Sequence, residues 1–169
     1  MKKLLALSVL ILAAMSAHSQ QTEAPLLQSI TATWNTFIFI SSGMPQQSVL
    51  ALAREASLSR SVIVLTGFSG SEPTLTSTQA YAAEINRICC EKRPARWIVD
   101  PVLTRRYQVK GAPTFVVARG SGESESDFAK VSGNISLAQA LKFVAQDSKI
   151  QSAREYARSV YTATYGNKF

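Results

Sequence analysis

Histidine is almost missing from this chain of 169 residues, whose one histidine is His18. It lies at the end of an N-terminal segment with the features of a cleaved signal peptide, so the exported protein is expected to have none. Catalytic pairs of cysteine or serine with histidine, histidine-ligated zinc sites and a histidine general base all need this side chain. The shortage excludes most hydrolase mechanisms, and we predict neither a metal site nor a cofactor.

Long apolar runs are also scarce, and the exception is the stretch from Leu4 to Ala14, which follows Lys2 and Lys3. The run ends in two small-x-small sites, Ala14-Met15-Ser16 and Ala17-His18-Ser19. A membrane-spanning helix would need about 20 apolar residues, more than this run supplies. We therefore predict a signal peptide over residues 1–19, export to the periplasm and no stable membrane span afterwards.

The chain also lacks a long basic block, although its formal net charge is +7. Loss of Lys2 and Lys3 with the signal peptide removes two of these charges and leaves +5. A mild excess of positive charge without a dense basic run does not point to a nucleic-acid partner. The remaining residues, about 150, are enough for one domain with a substantial hydrophobic core.

Apolar runs rich in β-branched and aromatic residues predict five strands, and apolar residues at helical spacing predict helices between and after them. The strands are expected at residues 34–40, 61–66, 96–99, 112–117 and 128–131. This order predicts an α/β fold in which helices cover a mixed sheet and an antiparallel hairpin precedes the last packed helix. We divide the chain into a signal peptide (1–19), an N-terminal lead-in (20–34), a main domain (35–146) and a C-terminal helical extension (147–169).

The most informative motif runs from Asp100-Pro101 through Tyr107 to Ala112-Pro113-Thr114. Asp100 suits the cap of a helix and Pro101 its first residue. This block resembles the thioredoxin superfamily signature, in which an aspartate and a tyrosine precede a glycine and a cis proline. The resemblance implies a thioredoxin-like fold and a cis bond between Ala112 and Pro113, which costs only about 0.5–1 kcal/mol before proline.

The thioredoxin pattern also places Cys-x-x-Cys at the start of the helix after the first strand, because a helix N-terminus lowers the pKa of a thiol. The same position here has no cysteine. Thiol–disulfide exchange at this corner is therefore excluded. We predict instead a degenerate thioredoxin groove that serves for binding. The residues that we assign to it are Ser41, Ser42, Gly43, Met44, Pro45, Ala112, Pro113 and Thr114.

Cys89 and Cys90 are the only cysteines, and they are adjacent near the end of a predicted helix. One buried and one exposed thiol is the interpretation that the pattern favours. A vicinal disulfide requires that the helix has ended, because adjacent helical side chains point about 100° apart. An inter-chain disulfide, or a redox centre beside nearby arginine and lysine residues, also stays open.

The whole pattern resembles the TrbC family of F-type conjugative pilus assembly proteins. The resemblance rests on the signal peptide, the Ser-x-x-Met-Pro corner after the first strand, the Val64-Leu65-Thr66-Gly67-Phe68 strand end and the block from Asp100 to Val117. It implies a periplasmic component of a type IV secretion system that is needed for conjugative pilus assembly and binds the pilus assembly protein TraW. Together with the missing corner cysteines, this predicts a non-catalytic protein that acts by binding. The alternative is a periplasmic thiol–disulfide oxidoreductase or isomerase that uses Cys89-Cys90.

Overall fold

The structure is a computed structural model of the chain and describes residues 33–68, 74–120, 122 and 124–166. The predicted signal peptide and most of the predicted lead-in lie outside these residues. The described residues form five strands: β1 Trp34–Ile40, β2 Val62–Leu65, β3 Arg96–Val99, β4 Thr114–Arg119 and β5 Phe128–Ser132. The same residues form five α-helices: α1 Gln46–Ser59, α2 Leu75–Cys89, α3 Pro101–Arg106, α4 Leu137–Asp147 and α5 Gln151–Tyr165.

The strands form one mixed sheet in the order β3-β2-β1-β4-β5. β1, β2 and β3 are parallel, with α1 and α2 as the connections, whereas β4 is antiparallel to β1 and β5 is antiparallel to β4. The sheet, its covering helices and the hairpin before α4 confirm the predicted thioredoxin-like architecture. All three parallel strands end at one edge of the sheet, and the loops that follow them lie there.

One face of the sheet carries the main core. Ile38, Ile63 and Phe115 are neighbours in register on three adjacent strands, and all three are buried. α1, α2, α4 and α5 cover this face with their apolar sides. α5 contributes Ala153 and Ala157, which are fully buried one helical turn apart. The apolar stripe predicted for this last helix therefore packs into the domain core.

The opposite face has a smaller cluster around Tyr107, whose side chain is almost fully buried. The Tyr107 ring contacts Phe128 edge to face, with ring centroids 5.0 Å apart, and also contacts Phe39. Gly122 closes over this ring: a Cβ atom built there would lie 2.5 Å from the Tyr107 hydroxyl. Gly122 has φ +60°, so the turn needs a glycine both for its backbone conformation and for the close contact.

Local capping signals agree with the predicted helix starts. The Asp100 carboxylate accepts hydrogen bonds from the N–H groups of Val102 and Leu103, at 2.8 and 3.0 Å, and Pro101 is the first residue of α3. Ser136 caps α4 in a reciprocal capping box with Gln139. These bonds satisfy amide groups that the first turn of a helix leaves without partners, which fixes where each helix begins.

Candidate functional site

The corner after β1 is a tight turn that leads directly into α1. The N–H of Met44 donates to the Ser41 carbonyl at 3.1 Å, and the N–H of Gly43 donates to Ser41 Oγ at 3.2 Å. Ser42, Gly43 and Pro45 are exposed, while Met44 is half-buried against the main core. The corner thus presents small polar and apolar groups at the position where thioredoxins carry their cysteines.

The peptide bond between Ala112 and Pro113 is cis, as predicted, and the backbone around it is held from two sides. Thr114 Oγ1 donates to the Gly111 carbonyl at 2.7 Å and is 2.8 Å from Ser132 Oγ. The Pro113 carbonyl accepts from the N–H of Gly133 at 3.1 Å. These bonds tie the cis-proline loop to β5 and fix its backbone in one position.

The strand register brings the corner and the cis-proline loop together. Thr114 pairs with Phe39 across β1 and β4, so Pro113 lies level with the end of β1. The corner at Ser41 follows that end immediately. The two predicted halves of the groove therefore share one edge of the sheet.

A cavity of about 480 Å³ opens beside the cis proline, between α1 and the connection from β5 to α4. Pro113 is the only predicted groove residue that lines it. The other lining residues are Ser48, Ala51, Leu52, Arg54, Glu55, Asn134, Ile135, Ser136 and Gln139. Sequence analysis did not assign these residues to the groove. The sequence predicts the helix after Pro45 and the helix start at Ser136, which form the two walls of the cavity. Only the tertiary structure shows that these two elements face each other.

Glu55 joins three helices at the rear of this cavity. Its Oε2 accepts from the Leu137 N–H at the start of α4, at 2.8 Å, and its Oε1 accepts from the Tyr165 hydroxyl of α5, at 3.3 Å. Burial and the neighbouring Glu55 carboxylate raise the pKa of Tyr165 well above its ordinary value. We call this arrangement the Glu55 latch. Its carboxylate oxygens both accept hydrogen bonds within the protein, so it serves to position the helices.

The first turn of α4 is similarly occupied by the protein's own groups. Ser136 Oγ accepts from the Gln139 N–H at 3.1 Å, and Gln139 Oε1 accepts from the Ser136 N–H at 2.9 Å. A free helix N-terminus attracts anions through its unsatisfied amide groups. Here Glu55 and Ser136 already accept from the Leu137 and Gln139 N–H groups, so part of this attraction is used within the protein.

Cys89 and Cys90 form a vicinal disulfide, in place of the two separate thiols that the sequence pattern favoured. α2 ends at Cys89, and Cys90 has left the helical conformation with φ −149° and ψ 34°, which meets the requirement that the helix has ended. Cys90 is buried against the main core and Cys89 is half-buried. Neither cysteine is therefore a free, exposed thiol.

The disulfide lies far from the cis proline. Asn86, one turn before it, exchanges two hydrogen bonds with the backbone of Ala95, at 3.1 and 3.0 Å, directly before β3 begins. This end of α2 is thus held at the edge where the parallel strands start, whereas Pro113 lies at the edge where they end. α2 has 15 residues, which corresponds to a length of about 22 Å.

Across the part of the chain that the structure describes, no group of three histidine, cysteine, aspartate or glutamate side chains could hold a metal ion. In the same residues, no helix combines the length and the apolar character needed to cross a membrane.

Comparison with known proteins gives one family match. The family model described as type-F conjugative transfer system pilin assembly protein matches residues 38–144, which is more than half of the chain. The match covers the corner, the disulfide, the cis-proline loop and most of α4. Comparison with curated protein sequences gives no match.

Two solved structures of Mycobacterium tuberculosis proteins resemble the chain at 15% sequence identity. DsbF, solved in mixed oxidised and reduced forms, has a TM-score of 0.44 over 81% of this chain and 85% of its own. A secreted disulfide oxidoreductase homologous to E. coli DsbE has a TM-score of 0.39 over 75% of this chain and 79% of its own. With such low scores and identities, these likenesses do not extend to the chemistry of the two proteins.

Proposed function

The chain belongs to the type-F conjugative transfer system pilin assembly protein family, and we propose that it serves there as a periplasmic component that binds other proteins and catalyses no reaction. Membership confirms the family predicted from the Ser-x-x-Met-Pro corner and the cis-proline block. It assigns the chain to conjugation and pilus assembly through type IV secretion. The periplasmic location rests on the predicted signal peptide.

The observation that carries the non-catalytic assignment is the separation between the disulfide and the cis proline. In thioredoxins the substrate backbone pairs beside the cis proline while the reactive sulfur lies at the adjacent corner. Here the adjacent corner has Ser41 and Met44, and the disulfide of Cys89 and Cys90 lies where the parallel strands start, at the opposite end of the sheet from Pro113. A segment bound beside Pro113 therefore has no cysteine sulfur at the adjacent corner.

The binding surface that we propose consists of the cis-proline loop, the corner and the cavity beside Pro113. An extended segment could pair with the backbone near Ala112, in the way that strands recognise sheet edges. Its side chains would enter the cavity, whose walls offer Ala51, Leu52 and Ile135. We propose TraW as the partner.

Ala51 provides a direct test, because it is an exposed helical alanine on the cavity wall. Ala51→Arg should fill the cavity without disturbing the core and should weaken capture of purified TraW from the same conjugative system. Ala80→Arg is the matched control, since Ala80 is also exposed and helical but lies on α2, outside the cavity. Equal capture by both variants and the original protein would contradict the groove. Met44→Glu adds a test of the corner itself.

The redox alternative is tested by insulin reduction and by refolding of a protein with scrambled disulfides. The protein recovered from the periplasm is compared with its Cys89→Ser/Cys90→Ser double variant. We expect background activity from both, because neither cysteine lies near the cis-proline loop. Strong activity that disappears in the double variant would replace the binding function with an oxidoreductase function at the vicinal disulfide.

A further inference from the structure

A second cavity, of about 320 Å³, is lined by three arginines and lies on a different side of the molecule from the cis-proline groove. Arg60 follows the last residue of α1, Arg93 belongs to the turn after the disulfide, and Arg96 begins β3. The pairing of Val62 with Arg96 brings these chain regions together. We call this cavity the arginine pocket. It lies where the parallel strands begin, at the opposite edge from Pro113.

Two of the guanidinium groups are held in place by backbone carbonyls at the end of α1. Arg96 Nη2 donates to the Arg60 carbonyl at 2.8 Å, and Arg93 Nη1 donates to the Leu58 carbonyl at 3.5 Å. Positive charges at a helix C-terminus are favourable, so part of the role of these two arginines is to cap α1. Each cap uses one of the five N–H donors of its guanidinium group, which leaves the others available.

Arg60 is the C-cap residue of α1 and has the left-handed conformation, but its side chain makes no capping hydrogen bond like those of Arg93 and Arg96. In the described parts of the chain, the ion pairs are Arg87 with Glu84 and Arg119 with Asp127, and neither involves the pocket. Among the residues that the structure describes, the Arg60 side chain donates no hydrogen bond to another residue, unlike the side chains of Arg93 and Arg96. Three like charges around one cavity repel each other, and an anion bound among them would relieve this repulsion.

We propose that the arginine pocket binds side-chain carboxylates of an acidic segment of a partner protein. The planar guanidinium group matches a carboxylate with two parallel hydrogen bonds. A phosphate group could form the same bidentate hydrogen bonds, and the experiment below distinguishes the two kinds of anion. The site is separate from the proposed groove and does not depend on it.

Fluorescence anisotropy of a fluorescein-labelled hexaglutamate peptide tests the pocket at low ionic strength, with the protein recovered from the periplasm. Arg60→Gln is the main variant, because it removes a pocket charge without removing a side-chain hydrogen bond that caps α1. For an exposed ion pair we expect binding to weaken roughly two- to fivefold. The triple variant Arg60→Gln/Arg93→Gln/Arg96→Gln should weaken it by about tenfold or more. Thermal unfolding of each variant shows whether the fold is retained.

Arg105→Gln is the matched control, because Arg105 is an exposed arginine on α3, outside the pocket. Hexaglutamate binding that depends on Arg60 but not on Arg105 would support the proposal. An equal loss of hexaglutamate binding in Arg60→Gln and Arg105→Gln would show attraction by net charge alone and would overturn the proposal. Absence of hexaglutamate binding to the original protein would also overturn it. Inorganic phosphate and phosphatidylglycerol vesicles form the other arms. Arg60-dependent binding of either one without hexaglutamate binding would assign the pocket to phosphate groups instead.

Discussion

Replacing Glu55 by glutamine tests whether the Glu55 latch holds the groove together. Glutamine keeps the shape of the side chain but removes its charge, so the Leu137 N–H loses a charged acceptor at 2.8 Å. A hydrogen bond to a charged group contributes about 1.5–3 kcal/mol, against about 1 kcal/mol for a neutral one. Because Glu55 is partly exposed, we expect a loss near 1 kcal/mol and a thermal midpoint lowered by roughly 3–5 °C. Circular dichroism at neutral pH measures this change.

Glu84→Gln is an informative control, because its hydrogen bonds are at least as short. Glu84 accepts two hydrogen bonds from Arg87, at 2.7 and 2.8 Å, but both side chains are exposed. Exposed ion pairs contribute little to stability, since solvent screens them and the long side chains lose entropy. We expect almost no change in the unfolding midpoint. If Glu84→Gln lowered the midpoint as much as Glu55→Gln, the stabilising effect of the Glu55 latch could not be attributed to its partial burial.

Two further changes probe the packing of both faces. Gly122→Ala should destabilise the fold by about 1–3 kcal/mol, because the added methyl group would clash with the Tyr107 ring and because alanine disfavours a φ of +60°. Gly67→Ala is the control in thermal unfolding, since a Cβ atom at Gly67 meets nothing within 4 Å. Tyr165 has a raised pKa in the folded state, so its contribution is complete below the ordinary pKa of about 10 and is lost as pH rises above it. Tyr165→Phe should therefore reduce the fall in stability measured by denaturant unfolding above pH 10, and an unchanged slope would contradict the shift.

The features that the sequence predicts well are those encoded by neighbouring residues. The cap at Asp100 and the cap at Ser136 need partners only two or three positions away. The cis bond before Pro113 likewise belongs to a short motif. The mixed sheet and its antiparallel hairpin follow from the order of the predicted strands and helices along the chain. These elements were accessible because their determinants are local or follow from general rules of sheet topology.

The walls of the groove and the arginine pocket depend on residues that are distant in sequence. Glu55 and Leu137 are 82 positions apart, and Arg96 reaches the carbonyl of Arg60 across 36 positions. No periodicity or motif records such pairs. The disulfide is difficult to predict from the sequence for a different reason. Cys89 and Cys90 can form a disulfide only if α2 ends at this point, and the last residue of a helix is difficult to predict from the sequence.

The loss of thioredoxin chemistry does not entail the loss of its binding surface, because the two rest on different atoms. Chemistry at the corner needs a thiol at the start of α1, and the serine at position 41 cannot supply it. The backbone near the cis proline is instead fixed by Thr114 with Gly111 and Ser132, and by Gly133 with Pro113. None of these bonds involves the corner side chains. The backbone beside the cis proline is therefore held in place with serine and methionine at the corner, and the binding that we propose there does not need the cysteines.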